Sequence, residues 1–226
     1  MARVVLEVRG LWVGDGPGAA VQDVSFVVGA GQVVGILGGP AAGKSRLLRC
    51  IGLDYPPTRG GVYLRGEEVS GAPVERRRQV RRAQIELVHP PAPEGATDTT
   101  VPSPRASLLV GGPRAGTVPV AGMRQRIQIA KALSNRTDVL LLDEPLGGVE
   151  AAVRTRILEL LGRLREEVGT AVVLATRDAE LCGALADHTV VLIDGAVVER
   201  GPAAAAVKRP GQPLLPTDMA HRLRSA

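Results

Sequence analysis

Gly38-Gly39-Pro40-Ala41-Ala42-Gly43-Lys44-Ser45 decides how the rest of this chain is read. Glycine, four residues, then glycine, lysine and serine is the spacing of a phosphate-binding loop, and it carries meaning only between a strand and a helix. Both flanks are present. Val33-Val34-Gly35-Ile36-Leu37 is an apolar run of strand length, and Arg46 to Ile51 reads as the start of a helix. In such a loop successive backbone N–H groups turn inward as an anion nest, reinforced by the following helix N-terminus. Gly38, Gly39, Pro40, Ala41, Ala42, Gly43, Lys44, Ser45 and Arg46 are therefore the candidate nucleotide-binding residues. Lys44 would reach the β- and γ-phosphates as a mobile point charge, and the Ser45 hydroxyl would ligate Mg²⁺. A Gly/Ala turn that merely contains Lys-Ser is the bland alternative, and it requires neither flank.

A second stretch strengthens the first. Val139-Leu140-Leu141-Leu142-Asp143-Glu144-Pro145 is an apolar run ending in two carboxylates. A run without polar alternation suits a central strand of a parallel sheet, covered on both faces. Ligands in such sheets collect at the carboxyl ends of strands, where Asp143 and Glu144 fall. Asp143 is the second candidate for Mg²⁺, and Glu144 is the candidate catalytic base that polarises the water attacking the γ-phosphate. In isolation two acids at a strand end are ordinary solvated charges; paired with an upstream phosphate loop they read as a site.

With 226 residues the chain has room for one α/β domain with a full core. Its 45% hydrophobic content includes only 2% aromatics, so the core is built from Val, Leu, Ile and Ala. The formal charge of +5 comes from 28 basic residues, all arginine except Lys44, Lys131 and Lys208. That lopsided ratio looks more like a coding bias than a nucleic-acid surface. Trp12, Phe26, Tyr55 and Tyr63 are scattered rather than interleaved with basic residues, so no nucleic-acid partner is expected. The cluster Arg76-Arg77-Arg78 with Arg81-Arg82 reads as a solvated helix face or a contact to anionic groups. Cys50 and Cys182 match no disulfide or metal spacing, which suggests a reduced, cytoplasmic compartment. The N-terminus alternates like a strand instead of resembling a leader, and no apolar stretch reaches membrane-spanning length. Any membrane role would be peripheral.

Period-two patterning predicts strands at Val4–Val13 and Val21–Val28, joined as a hairpin. Pro56 to Gly61 reads as a turn before a short strand at Val62–Leu64. Residues 73–83 read as a charged helix, and Ile85–Val88 as a strand. From His89 to Pro119 seven prolines and little periodicity argue for an irregular loop. Further helices are expected at Gly122–Leu133, Glu150–Val168 and Asp178–Ala186, with strands at Ala171–Ala175 and Thr189–Ile193 and a hairpin turn at Asp194-Gly195.

Taken together, these landmarks resemble an ATPase subunit of an ABC transporter, most like those of peptide and nickel importers. The likeness is densest from Met123 to Leu133 and at Asp143-Glu144-Pro145, and it continues through Ala186-Asp187 and Val198 to Pro202. It implies a P-loop NTPase (RecA-like) α/β core with an antiparallel β-subdomain and a helical subdomain, here shortened to the Pro-rich residues 89–119. The domain would span 1–202, followed by a tail at 203–226. In the family two such domains enclose two ATPs between them. Several family positions differ in this chain. The adenine-stacking aromatic falls on Asp15, with Trp12 nearby but on the other face of its strand. The γ-phosphate-sensing glutamine falls in His89-Pro90-Pro91, and the signature loop becomes Pro119-Val120-Ala121-Gly122-Met123. The D-loop aspartate falls on Glu150 and the switch histidine on Arg177. Residues that hold ATP and Mg²⁺ within the chain survive, while those that complete a partner's site do not. The resemblance thus implies a subunit energising import of a small solute such as a peptide or metal, on the inner face of the cell membrane. Its partners would be transmembrane permease subunits and a second, different ATPase chain. The alternative is a regulatory or assembly protein that binds ATP without useful turnover.

Overall fold

Apolar runs bounded by glycines and turns become the strands of one twisted sheet. The computed structural model describes residues 3–15, 18, 20–90, 123–147, 149 and 151–202. Its strands are β1 (Val4–Val13), β2 (Val21–Gly29), β3 (Val33–Leu37), β4 (Arg59–Leu64), β5 (Glu67–Glu68), β6 (Ile85–Val88), β7 (Val139–Asp143), β8 (Ala171–Thr176), β9 (His188–Ile193) and β10 (Ala196–Pro202). Five helices accompany them among the described residues: α1 (Lys44–Ile51), α2 (Val74–Gln84), α3 (Met123–Asn135), α4 (Ala151–Arg163) and α5 (Ala179–Leu185).

The strand order is β5-β4-β1-β2-β10-β9-β3-β8-β7-β6. From β9 to β6 neighbouring strands run parallel, whereas β5, β4, β1 and β2 pair antiparallel. The α/β core with an antiparallel β-subdomain is thus present as expected. The Pro-rich stretch beyond Pro90, the signature positions 119–122, Glu150 and the tail from 203 lie outside the described residues.

Within β7 successive side chains serve opposite faces of the sheet. Val139 and Leu141 pack with Leu47, Leu48 and Ile51 of α1. Leu140 and Leu142 pack with Ile129 of α3 and with Ile157 and Leu161 of α4. All four β7 leucines and valines are fully buried, at roughly 1.5–3 kcal/mol for each such side chain. Coverage on both faces explains why this strand shows no polar alternation.

Gly35 marks where β3 and α5 come closest. A Cβ there would lie 2.2 Å from the Cys182 Sγ and 3.2 Å from the Ala186 Cβ. Gly35→Ala is expected to cost about 1–3 kcal/mol by overpacking, lowering the unfolding midpoint by roughly 2–4 °C per kcal/mol. Adding Cys182→Ala should recover most of the loss; a Gly35→Ala chain that melts like the parent would refute the close packing.

Two local expectations change. The residues from Arg59 to Gly61, read as turn, extend β4, with Arg59 paired to Trp12 and Gly61 to Arg9 of β1. Two glycines carry no periodicity, so only the partner strand reveals them as sheet. The helix expected to run to Val168 is α-helical only to Arg163; Leu164–Val168 form a π turn closed by Gly169 at φ 72. There Leu164 stays buried while the neighbouring Arg165 donates to the Gly31 and Leu185 carbonyls (3.1 and 3.2 Å) and to the Asp187 carboxylate (3.1 Å). The wider turn lets adjacent residues meet these opposed demands. Helix α2 is the charged helix expected, with Val80 its one buried residue and Arg76 and Arg78 paired to Glu67 and Glu75.

Candidate functional site

Leu37, Asp143 and Thr176 end β3, β7 and β8 at the same edge of the sheet, since Leu37 pairs with Thr176 and Asp143 with Ala175. The loop from Gly38 to Gly43 turns away from that edge and delivers the chain into α1. Gly43 adopts φ 92, a left-handed conformation that glycine tolerates. A Cβ on Gly43 would also meet the Ala20 carbonyl oxygen at 2.1 Å. Ala41 takes φ 63 without the freedom of glycine, so an alanine holds a left-handed position at the crown of the loop. The loop is pinned on both sides: the Gly38 N–H donates to the Thr176 carbonyl at 3.3 Å, and the Gly195 N–H to the Ala42 carbonyl at 3.3 Å. Helix α1 has no side-chain cap and no acidic residue in its first turn, which keeps its N-terminal partial positive charge available to an anion.

A cavity of about 580 Å³ opens over this loop. Residues Ala41, Ala42, Gly43, Lys44, Ser45 and Arg46 form one wall, and Gly18, Ala20, Asp194 and Gly195 the other. Gly38, Gly39 and Pro40 do not line it. The first two instead present their carbonyls to Lys44, whose Nζ donates to the Gly38 oxygen at 2.7 Å and the Gly39 oxygen at 3.0 Å. The same ammonium lies 3.3 Å from Glu144 Oε1 and is only 7% exposed. Lys44 is thus folded back along its own loop.

Asp143 ends β7 near Ser45 and is 5% exposed. Its Oδ1 is buried and meets no hydrogen-bond partner among the described residues. Burial pushes the Asp143 carboxyl above the usual carboxylate range; the Ser45 hydrogen bond opposes this, the Glu144 charge adds to it, and Lys44 and His89 oppose it. An orphaned acceptor beside a serine hydroxyl fits a hard cation such as Mg²⁺, which takes oxygen ligands and retains several waters. No group of three His, Cys, Asp or Glu side chains placed to hold a metal by themselves occurs among the described residues, so such a cation would lean on a ligand's phosphates.

A raised folded-state pKa means that the folded chain binds the Asp143 proton more tightly than the unfolded chain does. Its contribution to stability is therefore neutral at acid pH and becomes a penalty as pH rises through the shifted pKa, fully present at neutral pH. Asp143→Asn should make the ligand-free chain more stable at neutral pH, the gain shrinking on acidification. Unfolding midpoints measured across pH check this, and a lower midpoint for Asp143→Asn at neutral pH would contradict it.

Glu144 follows Asp143 with φ 44, left-handed for a glutamate, at a position where strain commonly accompanies function. Its Oε2 accepts from the Thr176 hydroxyl and from the Arg177 backbone N–H, both at 3.3 Å. Thr176, 1% exposed, accepts in turn from the Asp178 N–H at 3.0 Å. The sequence reading missed Thr176 as well as Asp194-Gly195 as a cavity wall. A polar residue ending a buried apolar strand was the one available signal for Thr176. Arg177 reaches Glu144 through its backbone, a contact independent of side-chain identity.

The ABC transporter family matches residues 21–97. An Fe(3+) ions import ATP-binding protein of Streptomyces coelicolor is 34% identical over 223 residues, covering 91% of this chain and 64% of that one. A methionine import ATP-binding protein of Thermobifida fusca is 31% identical over 218 residues, covering 86% of this chain and 68% of that one.

The chain belongs to the ABC transporter ATP-binding family.

Its fold agrees with a dimeric bacterial ABC transporter cassette, superposing with a TM-score of 0.73 at 24% identity over 88% of this chain and 98% of that one. An ABC cassette accounts for both halves of the sheet and for the loop ahead of α1, and ATP is the nucleotide that the family binds. The chain spans about three fifths of the length of most curated relatives it matches.

Proposed function

We propose that this cassette is the ATP-binding subunit of an importer and hydrolyses ATP when joined to its partners. One observation supports the reading: the cavity is lined by Lys44, Ser45 and the uncapped N-terminus of α1, and the Asp143 oxygen left without a partner among the described residues lies at the end of the neighbouring strand β7. That combination matches a triphosphate accompanied by a cation, with the positive charge concentrated on the loop wall. Residues 41–43 would offer backbone N–H groups to the phosphates, with Gly38, Gly39 and Pro40 shaping the turn. Lys44 would leave the Gly38 and Gly39 carbonyls for the β- and γ-phosphates, and Arg46 would add charge at the cavity wall. Ser45 and Asp143 would hold Mg²⁺, which supplies charge neutralisation across the phosphates. Glu144, freed from Lys44 by that movement, would take the proton of a water whose oxygen bonds to the γ-phosphorus. The bond from that phosphorus to the β–γ bridging oxygen breaks, and ADP departs with the electron pair.

The partners are inferred from relatives and sequence. Relatives named for methionine and Fe(3+) import support a small-solute importer with permease subunits, its solute a peptide, an amino acid or a metal. No described helix is long and apolar enough to cross a membrane, which fits a cassette docked on permeases at the inner face. The domain would extend over 1–202. Val120 and Ala121 in the signature stretch, with Glu150 and Arg177, support a second ATPase chain of different sequence that completes the site.

Calorimetric titration with ATP and Mg²⁺, followed by turnover assays of the chain alone and mixed with a neighbouring ATPase chain, tests this. Binding by the chain alone and turnover only in the mixture are expected. Absence of binding overturns the nucleotide reading, and equal turnover in both preparations overturns the need for a second chain.

A further inference from the structure

We infer that Thr176 is a positioning residue for the base: its hydroxyl, together with the backbone N–H of Arg177, fixes the Glu144 carboxylate, and the side chain at position 177 takes no part in holding it. This rests on the assignment of Glu144 proposed above. A glutamate reaches its target through a flexible side chain, and a general base works only when its oxygen stands within hydrogen-bond reach of the proton. Here the two carboxylate oxygens are sorted. Oε2 accepts from the Thr176 hydroxyl and from the Arg177 N–H, both at 3.3 Å. Oε1 faces the Lys44 ammonium at 3.3 Å, and Lys44 lines the cavity. Once Lys44 turns to phosphate, Oε1 is the oxygen left to take the proton of the attacking water. The water oxygen bonds to the γ-phosphorus as the bond to the β–γ bridging oxygen breaks.

Thr176 is itself firmly held. It ends β8 opposite Leu37 of β3, its carbonyl accepts the Gly38 N–H at 3.3 Å, and its Oγ1 accepts the Asp178 N–H at 3.0 Å. A threonine hydroxyl carries a single proton, and with the Asp178 N–H at an acceptor position that proton is directed to Glu144. Thr176 is buried, which limits competition from water. One residue thus ties the entry of the phosphate loop to the base. The Glu144 backbone is already fixed to β8, its N–H donating to the Ala175 carbonyl at 2.9 Å, so the side chain is the part that Thr176 must hold. Arg177 is exposed, and its guanidinium makes no hydrogen bond or ion pair among the described residues.

Turnover would be measured in the chain alone and mixed with a neighbouring ATPase chain, using the more active preparation. Thr176→Val loses the hydroxyl and little volume; kcat is expected to fall about 10-fold or more, with KM and ATP affinity within about 3-fold of the parent. Thr176→Ser restores the hydroxyl and should recover turnover to within about 3-fold of the parent. Arg177→Ala keeps the N–H and should cost at least about 3-fold less turnover than Thr176→Val. Because Thr176→Val also removes an acceptor from the Asp178 N–H, unfolding midpoints serve as the folding control. Thr176→Val in a Glu144→Gln background should lower the residual turnover no further, since no base is left to position. A crystal structure of ligand-free Thr176→Val is expected to show the Glu144 carboxylate in more than one rotamer. Parental kcat in Thr176→Val, an equal loss in the Glu144→Gln background, or a carboxylate still in its parental place overturns the inference. So does a loss in Thr176→Ser or Arg177→Ala as large as in Thr176→Val. If Glu144→Gln turns over like the parent, or no preparation turns over, the base assignment falls and this inference with it. A loss in Glu144→Gln with none in Thr176→Val leaves the base standing and removes Thr176 alone.

Discussion

Lys44→Ala is expected to weaken ATP binding by about 100-fold or more, since each charge-assisted hydrogen bond contributes roughly 1.5–3 kcal/mol and Lys44 would make at least two to the β- and γ-phosphates. The ammonium is buried in the ligand-free chain and already satisfied by the Gly38 and Gly39 carbonyls and by Glu144. It can exchange those partners for phosphate oxygens without first being stripped from bulk water. Its removal should leave the fold intact, because Glu144 keeps the Thr176 hydroxyl and the Arg177 N–H as donors. Lys44→Arg should not restore binding: a planar guanidinium cannot fold back along the loop as a single point charge does. Titration calorimetry on both variants, with unfolding curves as the control for folding, provides the check. An affinity within about 3-fold of the parent would remove Lys44 from the site.

Glu144→Gln is expected to reduce turnover by about 100-fold to 10,000-fold, the range lost with a general base, while ATP binding persists. The amide retains an oxygen to accept from Thr176 and Arg177, so the left-handed turn at this residue should survive. Loss of the carboxylate also releases Lys44 from its 3.3 Å ion pair. The pair is mostly buried, with the Lys44 side chain 8% and the Glu144 side chain 22% exposed, so its loss frees the ammonium for phosphate and ATP affinity should not fall. Turnover would be measured in the most active preparation and affinity in the chain alone. Unchanged turnover would assign the base to another residue; lost binding would show that Glu144 serves the fold of the site instead.

Most of the chemistry was legible because it is local. The loop residues from Gly38 to Ser45 are consecutive, and the strand–loop–helix order on either side follows from hydrophobic patterning and glycine placement. Asp143 and Glu144 were recognisable at the end of an apolar run for the same reason. The hairpins β1–β2 and β9–β10 were readable from alternation and turn residues, and both pair antiparallel. Thr176 was missed because its role depends on β8 lying between β3 and β7, a relation between segments more than thirty residues apart. Asp194 and Gly195 were read only as a turn. Their place in the cavity wall depends on the hairpin folding back over the loop, where the Gly195 N–H meets the Ala42 carbonyl. Ala41 is legible in the sequence only as a member of the motif, and its left-handed backbone at φ 63 is set by the folded loop.

Sequence by itself determined the α/β class, the phosphate loop and the pair of carboxylates, since each depends on neighbours within one turn or one strand. Tertiary structure alone decided three further matters. It set Lys44 against its own loop and Glu144, left one Asp143 oxygen without a partner among the described residues, and kept all four large aromatic rings out of the cavity lining. Parallel pairing of β3, β8 and β7 is the physical reason: it stacks three strand ends at one edge, and side chains far apart in sequence become a single charged site.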